Sequence, residues 1–145
     1  MMTAAVRELV MLLVEDNPAD VMFFEEAIEA GGTPAKVNTV ADGVQAMRFL
    51  RHEGAHAQAP RPDIVILDLN LPIKSGQEVL KEMAADPMLR EIPVAVLTTS
   101  TSETWVCNFY PPGRCAYFVK TEDFGKLQGI ARQIADHAKA AQSNG

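Results

Sequence analysis

Short strand-like segments alternate with helical patterns along the chain, and this alternation limits the possible folds more than any other feature. Four of the segments are apolar and have the length of buried strands, and a fifth is more polar. They are Val10–Val14, Lys36–Val40, Ile64–Leu67, Val94–Leu97 and Ala116–Val119. Strands that alternate in this way with helices predict an α/β fold built on a parallel sheet.

Capping residues indicate where the first three helices begin. Asn17 followed by Pro18 is typical of a helix start. Asp42 is the expected N-cap of the second helix, and the stretch Ser75–Glu78 matches a capping box that opens the third. The fourth helix, from about Glu103, can have only two turns because two prolines follow it.

The chain has 145 residues, which is the usual size of one domain. We predict an N-terminal tail over 1–8, one folded domain over 9–137 and a flexible C-terminal tail over 138–145. Right-handed crossovers leave few topologies for five strands and five helices. The doubly wound, flavodoxin-like (βα)5 arrangement with a five-stranded parallel sheet fits best.

Charge and composition exclude several classes of function. The net charge is -6 and the isoelectric point is near 5.0, which argues against binding to nucleic acid or to an anionic membrane surface. No apolar run reaches the roughly 18 residues of a membrane span, and the N-terminus lacks a secretory signal. We therefore expect a cytoplasmic protein. Cys107 and Cys115 are expected to be small buried residues and not a disulfide.

Polar residues follow four of the predicted strands. Glu15 and Asp16 come after the first, Asp68 after the third, Thr98 after the fourth and Lys120 after the fifth. Ligand sites in doubly wound folds lie at this carboxyl edge of the sheet. Clustered carboxylates repel one another, so we expect a cation there, and Mg²⁺ prefers such oxygen ligands.

This group of residues predicts phosphoryl chemistry. Asp68 is a carboxylate nucleophile that could form an acyl phosphate. Mg²⁺, the Lys120 ammonium and the Thr98 hydroxyl could each neutralise or bind one oxygen of the transferred group. Any one of these residues alone has an ordinary structural explanation, and it is their joint occurrence at four strand ends that carries the prediction.

The same residues resemble the receiver domains of two-component response regulators, from about Met11 to Ile134. The motifs are specific and stand in the family's order. They are Leu13-Val14-Glu15-Asp16-Asn17, Leu67-Asp68-Leu69-Asn70-Leu71-Pro72, Lys74-Ser75-Gly76, Leu97-Thr98-Thr99-Ser100 and Tyr117-Phe118-Val119-Lys120. Finer features, including Asp16-Asn17-Pro18-Ala19-Asp20, are similar to the small regulators that pair with bacterial phytochrome histidine kinases.

The resemblance assigns a role to each matched residue. It implies that Asp68 is the phosphoacceptor, that Asp16 binds Mg²⁺ directly and that Glu15 does so through water. Asn70 would offer its backbone carbonyl to the metal. Thr98 and Tyr117 would form the switch pair. Lys120 falls on the invariant lysine of the family.

The resemblance also implies a signalling module and not a conventional enzyme. Such a module catalyses only its own phosphorylation and dephosphorylation. Its expected partners are a sensor histidine kinase and a second copy of the chain. The finer resemblance implies that the kinase is of phytochrome type. The homodimer would form through the fourth helix, the fifth strand and the fifth helix.

The sequence departs from the family pattern at three places. Thr121 stands where the family has proline after the lysine, and the bond between Lys120 and Thr121 could be trans or a strained cis. Pro111 and Pro112 should shorten or deform the fourth helix. Trp105 in that helix could pack on the core or anchor an interface.

Three other functions compete with this interpretation. A flavodoxin-like cofactor site would need a Gly- and Ser-rich loop after the first strand, where this chain is acidic. An Asp-x-Asp phosphatase would need a general acid at Asn70, which an amide cannot supply. A degenerate receiver that acts as a phosphate-independent interaction module remains the main alternative. His52 and His56 lack a third metal ligand, so a solvated loop is expected there.

Overall fold

The computed structural model describes residues 8–143, which form nine regular helices and strands and two short 3-10 helices. The strands are β1 (Leu9–Val14), β2 (Ala35–Val40), β3 (Ile64–Leu67), β4 (Val94–Thr98) and β5 (Cys115–Val119). The α-helices are α1 (Pro18–Ala30), α2 (Gly43–Leu50), α3 (Gly76–Ala85) and α4 (Phe124–Ser143). The 3-10 helices are Gly54–His56 and Thr104–Phe109, and we call the second one the 3-10 segment.

The five strands form one parallel sheet in the order β2-β1-β3-β4-β5. The predicted doubly wound, flavodoxin-like fold is therefore confirmed. The order reverses between β1 and β3, and in such sheets the crevice for ligands opens at this point, beyond the carboxyl ends of the strands.

The core consists of two clusters, one on each face of the sheet. Alternate residues of each strand point to opposite faces. In β1, Leu12 and Val14 pack with α2, α3 and the 3-10 segment, whereas Met11 and Leu13 pack with α1 and α4. Every residue of β3 is fully buried, as expected for a central strand that is covered on both faces.

The predicted caps of the first three helices are confirmed. The Asn17 side chain accepts hydrogen bonds from the backbone N–H groups of Ala19 and Asp20, at 2.9 and 3.3 Å. Asp42 accepts from the backbone of Gln45 at 2.8 Å, and Ser75 accepts from the backbone of Glu78 at 3.2 Å. These caps set the helix starts next to the carboxyl ends of the preceding strands.

The last helix is longer than predicted. The sequence suggested a flexible tail from residue 138, but α4 continues to Ser143, and Ala138 is fully buried. Ala135 and Ala138 extend the stripe that begins at Leu127 and pack on the sheet. Alanine is weakly apolar, so its contribution to a buried stripe is easily missed in a sequence. The predicted tail over 1–8 lies, except for Glu8, outside the described residues, as do residues 144–145.

The region before β5 differs from the expectation in one respect and agrees in others. The prediction of two unpaired cysteines was wrong, because Cys107 and Cys115 form a disulfide. The short 3-10 segment runs beside the first residue of β5, and the two Cα atoms are 5.4 Å apart, within disulfide range. The fourth helix is as short as predicted, and Trp105 is 51% exposed. No peptide bond among residues 8–143 is cis, so the bond before Thr121 is trans.

Candidate functional site

The register of the sheet brings the polar strand ends together. Val14 pairs with Leu67, so Glu15 and Asp68, each one residue further on, lie side by side at the carboxyl edge. The backbone N–H of Asp68 donates to the carbonyl of Val14 at 3.2 Å. The backbone N–H of Lys120 donates to the carbonyl of Thr98 at 2.7 Å, which fixes the start of the loop after β5. Backbone pairing is therefore sufficient to bring these residues to the same edge, independently of their side-chain contacts.

The Lys120 ammonium is the centre of the site. Its Nζ donates to Asp68 Oδ2 at 2.9 Å and to Asp20 Oδ2 at 2.9 Å, and it also donates to Glu15 Oε1. The side chains of Lys120, Glu15 and Asp68 are 16%, 5% and 8% exposed, so these ion pairs are largely shielded from solvent. Charges that are buried in this way require their partners, because an unpaired one would be strongly unfavourable.

Burial and charge shift the pKa values of two of these groups. Burial is the largest effect on Glu15 and raises the pKa of its carboxyl, an effect that the Lys120 contact and the N–H of Asn17 only partly offset. The negative charge of Asp68 adds to the increase. For Lys120, burial lowers the pKa, but hydrogen bonds to Glu15, Asp20 and Asp68 outweigh it, so its pKa is raised. Lys120 therefore stays charged.

Three carboxylates at this edge could hold a metal ion. Glu15, Asp16 and Asp68 each offer an oxygen, and these three atoms lie within 4.8 Å of one another. Glu15 and Asp68 are buried, whereas Asp16 is exposed. Asp20 also contacts Lys120, so the carboxylates at this edge outnumber its one ammonium and the site has excess negative charge. A small site of hard oxygen donors with excess negative charge fits a divalent cation such as Mg²⁺.

The backbone after Asp68 folds tightly around its carboxylate. The N–H of Asn70 donates to Asp68 Oδ1 at 3.1 Å, and the N–H of Gly76 donates to the carbonyl of Leu69 at 3.0 Å. A Cβ at position 76 would lie 2.2 Å from the Asp68 carbonyl oxygen, so only glycine allows α3 to begin this close to the strand end. The close approach holds the turn after Asp68, and the hydrogen bond from Asn70 orients its carboxylate.

The predicted switch pair is connected through the loop after β4. Thr98 is fully buried, and its hydroxyl oxygen accepts a long 3.5 Å hydrogen bond from the N–H of Ser100. The Tyr117 hydroxyl donates to the carbonyl of the same Ser100 at 2.6 Å. A change in the position of Ser100 would thus alter the hydrogen bonds of both Thr98 and Tyr117.

Asp20 is the residue that sequence reasoning missed. It lies in the first turn of α1, and its carboxylate contacts Lys120 across about a hundred residues of sequence. The sequence signal was limited to its position, since Asp20 stands in the first turn of the helix that follows Glu15 and Asp16. The histidines take no part in the site, and His56 instead contacts Gln45 at 2.9 Å.

The sequence and the fold can be compared with those of known proteins. The sequence profile of the response regulator receiver domain matches residues 11–132. Response regulator Rcp1 of Synechocystis sp. is 40% identical over 125 residues, which are 83% of this chain and 85% of that protein.

Within residues 8–143, none of the helices combines the length and the apolar character that a bilayer crossing requires.

Two crystal structures share the fold over most of the chain. The phosphorylated cyanobacterial phytochrome response regulator RcpA has a TM-score of 0.79 and 41% identity, covering 90% of this chain and 93% of that one. The Mn²⁺-bound form of response regulator Rcp1 has a TM-score of 0.77 and 36% identity, covering 88% and 92%. Similarity to phytochrome response regulators, inferred from the motifs, is confirmed. With the profile, the fold and these relatives in agreement, the chain belongs to the response regulator receiver domain family.

Proposed function

We propose that this chain accepts a phosphoryl group on Asp68, in a reaction that depends on Mg²⁺, and signals through a change of shape. The observation that carries the proposal is the Lys120 ammonium between Asp68 and the buried Glu15 at the carboxyl edge. A carboxylate held beside a cation, with three metal-ligating oxygens close by, is the arrangement that phosphoryl transfer to a carboxylate requires.

The proposed reaction transfers a phosphoryl group from a phosphorylated histidine of the kinase to Asp68 of this chain. An Asp68 oxygen attacks the phosphorus, the new P–O bond forms and the P–N bond to the kinase histidine breaks. The histidine nitrogen keeps the electron pair and takes a proton from solvent. Lys120 Nζ is 2.9 Å from Asp68 Oδ2, so it can bind a phosphoryl oxygen on that carboxylate without a large movement.

The fit to Mg²⁺ rests on the donor set. Glu15, Asp16 and Asp68 would hold the ion. The carbonyl of Asn70 is the further ligand that the family resemblance implies. When bound, the ion neutralises charge on the phosphoryl oxygens. The exposed position of Asp16 leaves one side of the site open to solvent and to the donor group.

The proposed response uses the link from Thr98 through Ser100 to Tyr117. The Thr98 hydroxyl, which makes only a long contact in this structure, would turn toward a phosphoryl oxygen. Movement of Ser100 would then change the hydrogen bond of the Tyr117 hydroxyl. A local charge change would in this way alter the surface around β5, which is the usual logic of a phosphorylation switch.

The partners follow from the comparisons. We propose a sensor histidine kinase of phytochrome type as the donor, because the relatives RcpA and Rcp1 include a phytochrome response regulator. The acidic balance of the chain supports contacts with proteins and not with nucleic acid or membrane. We propose a cytoplasmic location. A homodimer through the 3-10 segment, β5 and α4 is the proposed assembly, with the exposed Trp105 at its centre.

The test is the intact mass of the protein after incubation with acetyl phosphate, with Mg²⁺ and with a chelator. We expect one phosphoryl adduct that requires Mg²⁺ and is absent in Asp68→Asn. Asp63→Asn is the matched control, since Asp63 lies at the opposite end of β3 and should leave the adduct unchanged. No adduct on folded wild-type protein would favour the degenerate receiver, a phosphate-independent interaction module.

A further inference from the structure

The Cys107–Cys115 disulfide joins the 3-10 segment to the first residue of β5. Both cysteines are half-buried and pack against the core cluster that contains Val106 and Tyr110. A bond that is only partly covered can be approached by a small thiol, which is the access that thiol–disulfide exchange needs. None of the functional residues discussed above uses this bond.

Two of the contacts that hold the region around the 3-10 segment lead to different parts of the fold. The Tyr110 hydroxyl donates to the carbonyls of Leu89 and Ile92, at 3.0 and 2.6 Å, and so holds the chain to the turn before β4. The disulfide holds the chain to β5. Opening the disulfide would leave the Tyr110 anchor in place and release the covalent connection to β5.

The position of the bond suits reversible opening. Only 8 positions separate the two cysteines, and the loop between them contains Pro111 and Pro112, which restrict its conformations. Reduced cysteines would therefore stay close enough to pair again. In the cytoplasmic location proposed above, thiols are kept reduced, and disulfides that do form there are usually transient and redox-sensing.

We propose that Cys107 and Cys115 form a reversible redox modification site whose reactant is a dithiol, and that its state sets the mobility of Thr104–Phe109. One thiolate of the dithiol attacks a sulfur of the bridge and forms a mixed disulfide. The second thiol then displaces the protein sulfur, so that the dithiol becomes a disulfide. Two electrons and two protons end on the cysteines.

The consequence concerns the surface that carries Trp105. In the oxidised protein the 3-10 segment is tied to β5 two residues before Tyr117, so both move as one unit. In the reduced protein, Val106 and Tyr110 remain buried anchors, but the segment is free to separate from β5. Redox state would thus act on the same surface as the proposed phosphorylation switch, through a separate chemical input.

The experiment uses the whole chain under native conditions with dithiothreitol as the probe. We expect the intact mass to rise by two hydrogen atoms with an unchanged far-UV circular dichroism spectrum, and oxidised dithiothreitol to reverse the change. Hydrogen exchange of the amides in 104–109 should become about tenfold faster on reduction. Fluorescence of Trp105, the only tryptophan, reports the same change with acrylamide as quencher.

Two variants separate the possible outcomes. Cys107→Ser/Cys115→Ser should show the fast exchange with and without dithiothreitol, whereas Asp68→Asn should respond to dithiothreitol as the wild type does. The Asp68→Asn result keeps this test independent of phosphoryl acceptance. A bridge that opens only after denaturation would overturn the proposal, as would equal exchange rates in the two redox states or free thiols that the oxidant cannot pair.

Discussion

The two ends of β5 are held in opposite ways. At the carboxyl end, Lys120 holds Glu15, Asp20 and Asp68 by non-covalent ion pairs and hydrogen bonds. At the amino end, Cys115 is bonded covalently to the 3-10 segment. The first end has excess negative charge, so a divalent cation or a phosphoryl group can change its ion pairs. The second end responds only to a reductant or to unfolding.

This difference shows how one sheet can have a site that responds to charge at one end and a covalent connection that ions leave unchanged at the other. The charged residues at the carboxyl end are placed by strand register, so they remain close together although like charges repel. The amino end has no such conflict, because Tyr110 and Val106 are buried and the hydroxyl of Tyr110 is satisfied. Changes at the two ends should therefore have separable effects.

Removal of the central cation should have the largest effect. In Lys120→Met, Glu15 and Asp68 lose their shared partner while they remain buried, so we expect the free energy of unfolding to fall by about 3–4 kcal/mol. The phosphoryl adduct on Asp68 should also be lost. Urea unfolding and intact mass measure the two effects.

Mg²⁺ provides the control for this variant. Because the variant has one positive charge fewer at the site, added Mg²⁺ should raise its stability more than that of the wild type. Fluorescence of Trp105 should stay unchanged, since the tryptophan lies in the 3-10 segment near the other end of β5. A stability loss that Mg²⁺ cannot reduce would argue against the carboxylates as the cause.

Gly76→Ala tests the tight turn after Asp68. The new Cβ would lie 2.2 Å from the Asp68 carbonyl oxygen and 2.6 Å from Leu69 Cα, and both are backbone atoms. We expect a loss of about 3 kcal/mol in urea unfolding, at the upper end for overpacking. Gly129→Ala is the matched control, because nothing lies within 4 Å of its Cβ and the change should not destabilise α4. Equal stabilities of the two variants would contradict the argument.

The sequence predicted the carboxyl end well because strand position alone determines it. Once Val10–Val14 and Ile64–Leu67 are assigned as parallel strands, Glu15 and Asp68 must meet at one edge. Asp20 escaped the prediction of the site because its contact with Lys120 depends on how α1 leaves its cap. Periodicity describes elements, whereas contacts between elements depend on their relative orientation.

The amino end of β5 was harder to predict for the same reason. The prolines correctly indicated a short fourth helix, but no pattern showed that its Cys107 would run beside Cys115. Two cysteines are too few to indicate a disulfide framework, so small buried residues were expected at both positions. The extent of α4 was missed because Ala135 and Ala138 gain their burial from neighbouring elements.

Loss of the disulfide should have a moderate effect. A closed loop of this size restricts the unfolded chain, so Cys107→Ser/Cys115→Ser should unfold at a free energy about 2 kcal/mol lower. The wild type in dithiothreitol should match the variant. Phosphoryl acceptance on Asp68 should be retained, since the carboxyl end is held independently. Loss of the adduct in this variant would show that the two ends of β5 are not separable.

Tyr110→Phe should have the smallest effect and a distinct dependence on pH. The Tyr110 hydroxyl donates to the carbonyls of Leu89 and Ile92, so its removal should cost about 1 kcal/mol near neutral pH. Burial raises the pKa of Tyr110 above its ordinary value, whereas an unfolded tyrosine ionises near pH 10. Below about pH 10 both states keep the proton and the contribution is complete. Above it, only the unfolded chain loses the proton, so the free energy of unfolding of the wild type falls. The variant has no hydroxyl at position 110 and does not show this fall.

Tyr117 is present in both proteins, so its ionisation affects both equally. Urea unfolding at about pH 8 and pH 11 should therefore show the gap between the two proteins narrowing, and a constant gap would mean that the hydroxyl is not buried in the way described.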